Sequence, residues 1–153
     1  MNKIKNYTVL LFLLFLLISS CAYEPILNNK NYNFSIIVDK IEGDQKINSK
    51  IVNNFSNLKG KEIKYNLNLS SNKIKNVISK DSKGDPAIFE LIINVNYSVK
   101  KNGETIIVNK INIKDIYNNV SDKFELENYE KNIINNLSQN ISDKIIISIS
   151  EIN

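Results

Sequence analysis

The sequence predicts an α+β protein: a two-layer sandwich of about four strands in a mostly antiparallel or mixed sheet, with two helices packed on one face, in the order β-α-β-β-β-α. Three observations predict it. Phe89, Leu91, Ile93, Val95, Tyr97 and Val99 alternate with polar neighbours, the two-residue period of a half-buried strand. Leu126, Tyr129, Ile133, Leu137, Ile141, Ile145, Ile149 and Ile152 instead step by three or four residues, as one stripe of a helix does. Ile47, Ile51, Val52, Phe55 and Leu58 repeat that helical spacing between two earlier alternating stretches.

The first strand is expected over 33–41, where Phe34, Ile36, Val38 and Ile41 lie near the two-residue period. Gly43-Asp44 stops it, and the Asp44 carboxylate can accept the free amide protons of a first helical turn. The helix then covers 45–58 and ends near Gly60. A second strand starts near Glu62 with Ile63, Tyr65, Leu67 and Leu69 in clean alternation. Past Ser70-Ser71 the pattern weakens, and 73–78, with Ile74, Val77 and Ile78, reads as an extension of that strand after a bulge. Residues 79–86, the most polar stretch of the chain, read as a loop or hairpin tip.

The next hairpin joins the Phe89–Val99 row to a strand with Ile107, Ile111 and Ile113 on its apolar face. A two-residue Asn102-Gly103 turn would pair odd with even positions and send the two apolar rows to opposite faces. A three-residue loop, Lys101-Asn102-Gly103 with Gly103 left-handed, pairs odd with odd and is the expected connection. From Asp122 onward a single amphipathic helix of roughly 45 Å closes the chain, at about 1.5 Å per residue. Ile145-Ile146-Ile147 alone would suit a strand, but the spacing on either side carries the helix through.

Ahead of the sandwich, Lys3 and Lys5 lead into an apolar run from Val9 to Ile18, followed by Ser19-Ser20-Cys21. This is the layout of a signal peptide over 1–20. Its apolar core is too short for a stable bilayer span, which takes about 20 residues. Ile18-Ser19-Ser20-Cys21 resembles a bacterial lipobox, which implies lipidation of Cys21 as the mature N-terminus. Cys21 is the one cysteine in the chain, whereas an ordinary signal peptide would leave a secreted protein with an unpaired thiol. Residues 21–32, with Pro25, form the lipidated N-terminus and tether, and 33–153 the folded domain. Ala22 replaces the aspartate that retains bacterial lipoproteins in the inner membrane, so the analogy favours the outer membrane.

Composition narrows the chemistry. Formal charge is +4 on the precursor; losing Lys3 and Lys5 leaves 4 − 2 = +2 on the mature chain, with no nucleic-acid footprint. Histidine is absent, which removes the commonest general base and metal ligand. With the one cysteine committed to lipid, thiolate catalysis and disulfides go too. The reading is a non-enzyme with no catalytic residues, no metal and no cofactor beyond the covalent lipid.

The chain also resembles the LPS-assembly lipoprotein LptE family in its alphaproteobacterial form. The resemblance runs from Cys21-Ala22-Tyr23-Glu24-Pro25 through Lys80-Asp81-Ser82-Lys83-Gly84-Asp85-Pro86, Phe89-Glu90-Leu91 and Tyr97. It continues with Ile116-Tyr117, Lys123-Phe124-Glu125-Leu126 and Tyr129-Glu130, and covers essentially the mature chain. It implies an outer-membrane lipoprotein on the periplasmic side, a subunit of the lipopolysaccharide translocon. Such a protein plugs and helps assemble the LptD β-barrel and assists lipopolysaccharide delivery to the cell surface. Lys80 and Lys83 are the candidate lipopolysaccharide contacts, as point charges for phosphates or sugar carboxylates. The plain alternative is a solvated turn.

Other readings are weaker. Asp81, Asp85 and Gly84 fall short of a calcium loop. Ser79-Lys80 and Ser71/Lys73 form nominal Ser–Lys dyads without an oxyanion-hole signature. Tyr97, Tyr117 and Tyr129 read as core or sheet-edge residues, with a partner contact as the alternative. A generic periplasm-facing lipoprotein binding another lipid or protein remains the second function class, and a lipid-anchored hydrolase the third.

Overall fold

The computed structural model describes residues 32–152. The signal peptide over 1–20, Cys21 and the tether up to residue 31 lie outside the described residues. The expected order is observed: β1 (Phe34–Gly43), α1 (Gln45–Asn53), β2 (Ile63–Lys80), β3 (Pro86–Lys101), β4 (Glu104–Asn118) and α2 (Lys123–Ser150). The sheet is open, in the order β1-β2-β3-β4. β1 and β2 are parallel, and the other two pairs antiparallel. A parallel pair needs a crossover rather than a tight turn, and α1 supplies it.

Both helices start on an aspartate. The Asp44 carboxylate accepts the Lys46 and Ile47 amides at 3.0 and 3.1 Å, and Asp122 accepts those of Phe124 and Glu125 at 2.8 and 3.1 Å. α1 is shorter than the spacing predicted. It ends at Asn53 and gives way to a 3-10 turn at Ser56–Leu58. Asn53 and Asn54 compete with the backbone for hydrogen bonds and weaken a helix. The tighter three-residue period still sets Phe55 and Leu58 on one side, and both are buried.

Two turns differ from expectation. The β3–β4 connection is the two-residue Asn102-Gly103 turn, with φ of 53° and 87° and Lys101 opposite Glu104. The parity problem is solved two residues later. Lys100 faces Thr105 but Val99 faces Ile107, so Ile106 is an extra residue bulged out of the pairing. The bulge restores odd-with-odd pairing, and Ile107, Ile111 and Ile113 share a face with Val99, Val95 and Ile93. The second correction concerns β2. It has no break at Ser70-Ser71 where it meets β3; pairing runs unbroken from Asn66↔Lys100 to Val77↔Phe89, and the irregularity falls between Val77 and Ser79. Ser79 and Lys80 are therefore strand residues, and the tip shrinks to 81–85.

One core lies between sheet and helices. Tyr65, Leu67 and Leu69 of β2 meet the odd-numbered row of β3, Ile47 and Ile51 of α1, and Ile133, Leu137, Ile141, Ile145 and Ile149 of α2. The helices run side by side in the same direction: Lys50 bonds Asn135, and Asn54 bonds Ser142 at 3.1 Å. α2 is the longer, 28 residues against 9, so its first turns continue past the start of α1.

Candidate functional site

The sheet has two unequal halves. β1 stops at Gly43, opposite Ser71. Gly43 has φ of 89°, and a Cβ there would sit 1.8 Å from the Ser71 carbonyl oxygen. That carbonyl accepts the Asp44 amide at 3.0 Å as the chain turns away into α1. Beyond this point β2 has no neighbour on that side among the described residues. All of 72–78 is exposed, although the pairing with β3 continues. The weakening pattern past Ser71 thus marks the end of a neighbouring strand.

In this half, inward positions of β2 carry lysines. Lys75 forms a salt bridge with Glu130 of α2 and lies 4.0 Å above the Phe89 ring. The Tyr117 hydroxyl donates to the same Glu130 oxygen at 2.7 Å, and its ring packs 5.6 Å from Phe89 and 5.9 Å from Tyr129. Burial pushes the Tyr117 phenol well above its ordinary range, and the Glu130 acceptor and charge add to this. For Glu130, burial pushes the carboxyl up, but the hydrogen bonds from Lys75 and Tyr117 and the charges of Lys75 and Lys73 outweigh it. The net shift is downward. The cluster clamps the free half of the hairpin under the first turns of α2.

Beside the clamp, between the helices and the β2 edge, a groove of about 780 Å³ is lined by Lys46, Lys50, Lys73 and Lys131, with Glu127 and Glu130. Glu130 is taken by Lys75 and Tyr117, leaving positive charge in excess. Neither the clamp nor the groove was singled out from sequence. One signal was available: Glu130 sits four residues after Leu126 and three before Ile133, a charge on the apolar stripe.

The residues the sequence singled out are distributed as follows. Cys21 lies outside the described residues. Lys80 ends β2 and Lys83 sits in the tip; both are exposed. The tip is organised by Asp81, whose Oδ1 accepts the Lys83 and Asp85 amides at 2.8 and 2.9 Å. Ser71 is buried and its hydroxyl bonds the Asp44 carbonyl at 3.4 Å, a packing role in the β1–α1 corner. Tyr97 and Tyr117 are buried, and Tyr97 bonds Ser148 at 3.0 Å; Tyr129 is half exposed. Exposed apolar side chains near the free half are Ile74, Val77 and Ile78 on β2, Ile116 on β4, and Phe124 and Tyr129 on α2; Ile37, Ile41, Ile106, Val108 and Ile152 are exposed elsewhere.

No protein-family model matches the chain, and no curated protein does. Solved structures do. The fold, an open mixed sheet under two helices, is shared with solved bacterial lipoproteins. The rare lipoprotein B of Shewanella oneidensis matches with a TM-score of 0.58 and 16% identity, over 75% of this chain and 95% of that one. A putative lipoprotein from Caulobacter crescentus gives 0.52 and 13%, over 76% and 88%. The uncharacterized lipoprotein B of Nitrosomonas europaea gives 0.51 and 13%, over 73% and 79%.

Proposed function

We propose that this chain is a lipid-anchored outer-membrane subunit of the lipopolysaccharide translocon, lodged in an LptD-type β-barrel and without catalytic activity. The observation that carries the reading is the fold, shared along 95% of the rare lipoprotein B chain. The lone Cys21 behind Ile18-Ser19-Ser20 supports a lipid anchor. Acyl chains contribute about 0.8 kcal/mol per buried methylene, so two or more hold a domain on a membrane. The layout suits an elongated plug. Phe34 pairs with Ile63, at the end of the sheet opposite the 81–85 tip. β2 is 18 residues long, which separates the two ends by roughly 55 Å. Lys80 and Lys83 thus stand at the end of the sheet opposite Phe34, where they meet lipopolysaccharide in this reading.

A photo-crosslinker at position 83 of the full-length protein, followed by detergent extraction and mass identification, tests the partnership. A heat-modifiable outer-membrane barrel is the expected product. Crosslinks only to non-barrel proteins would overturn the partnership, as would a free periplasmic Cys21→Ser protein that still supports surface lipopolysaccharide. Replacing 80–83 by Gly-Ser is expected to weaken lipopolysaccharide binding; unchanged binding would return both lysines to a purely solvating role.

A further inference from the structure

The sheet has four strands at one end and three at the other, because β1 ends opposite Ser71 while β2 runs on to Lys80. Among the described residues the fourth place at that end is vacant, and the β2 backbone beside it pairs with no strand on that side. Ser71 turns its carbonyl to the β1 side, where the Asp44 amide meets it. Strand backbone alternates direction residue by residue, so Lys73, Lys75 and Val77 aim their N–H and C=O groups out of the sheet. A strand seated there would turn alternate side chains into the groove lined by Lys46, Lys50, Lys73 and Lys131. Lys46, Lys73 and Lys131 make no salt bridge among the described residues. Its other side chains would lie beside the exposed Ile74 and Ile78.

We propose that this vacant place is a docking edge for an extended segment of a partner protein whose residues alternate acidic and apolar. Main-chain hydrogen bonds to Lys73, Lys75 and Val77 supply affinity, and the lysine groove selects acidic side chains. The same lysines disfavour a second copy, since antiparallel self-pairing would bring Lys73 and Lys75 of both chains onto one face. The proposal extends the barrel partnership without requiring it: the crosslink at position 83 and the following experiment fail independently.

Hydrogen exchange of the full-length protein in detergent is measured with an end-blocked (Glu-Val)4 peptide and with (Lys-Val)4. The acidic peptide is expected to slow exchange at 72–78 at least about tenfold at saturation, leaving 104–118 unchanged. The basic peptide is expected to do nothing. Val77→Pro removes an outward N–H and leaves the bonds to β3, so it should abolish the protection; Lys73→Glu should weaken it about tenfold. Thermal melts check that both variants fold, and if Val77→Pro does not, Lys73→Glu and the peptide pair still decide. The proposal is overturned by no protection from (Glu-Val)4, by equal protection from both peptides, or by protection mapping to β4. Protection untouched by Lys73→Glu, or self-association protecting 72–78 without peptide, overturns it equally.

Discussion

The two halves of β2 share one strand, one partner in β3 and one unbroken register, yet their side chains obey different rules. From Tyr65 to Ser71 every second residue is buried, with Leu67 at 0% exposure. From Asn72 to Ile78 none is, and Val77 is 45% exposed. Pairing with β3 is the same in both halves; what differs is the layer above and the neighbour beside. Hydrophobic alternation therefore reports coverage of a strand, while its length reports pairing. The uncovered half keeps its shape through a polar clamp, Lys75–Glu130–Tyr117, where the covered half uses aliphatic packing.

Paired substitutions sharpen this contrast. Leu67→Ala should cost about 3 kcal/mol in denaturant unfolding, the usual range for an enclosed aliphatic side chain. Val77→Ala, in the same alternating row but beyond Ser71, should stay within about 0.5 kcal/mol. Equal costs would abolish the distinction between the halves. Gly43→Ala, at the boundary, should lose at least about 2 kcal/mol, because its Cβ meets the Ser71 carbonyl in a backbone conformation that L residues avoid. A thermal melt measures it, and a neutral result would mean that the β1–α1 corner relaxes freely.

Glu130→Gln should have a smaller global effect, about 1 kcal/mol given its partial exposure, but should speed exchange at 72–78 and 111–118 more than in the covered half. The clamp also predicts a pH profile. The Glu130 carboxyl is held below its ordinary value, so its contribution is full above about pH 4.3 and lost as pH falls through the lowered value. The Tyr117 phenol is raised, so its contribution is full below about pH 10 and lost as pH climbs through the raised value. Urea midpoints measured across pH should therefore decline on both flanks, and Glu130→Gln should flatten the acid flank.

Much of the fold was legible locally. Alternation in Phe89–Val99 and helical spacing from Leu126 to Ile149 each report a backbone geometry that repeats within a few residues. Asp44 and Asp122 cap because their carboxylates reach amides two and three positions on. The parity requirement across Asn102-Gly103 was legible as well; the device that meets it, the bulge at Ile106, was not, since a loop and a bulge add the same extra residue. The candidate site was largely hidden. Lys80 and Lys83 are visible in sequence because they lie in one polar stretch, but Lys46, Lys73 and Lys131 come from three elements.

The sequence by itself determined the elements, their order and the buried row of each, because periodicity is imposed by the local backbone and read out by solvent. Tertiary structure alone decided where β1 stops beside β2. That endpoint depends on a close approach between Gly43 and Ser71, residues far apart in the chain, and no local preference encodes it. From that one endpoint come the free edge, the inward lysines and the groove beneath α2.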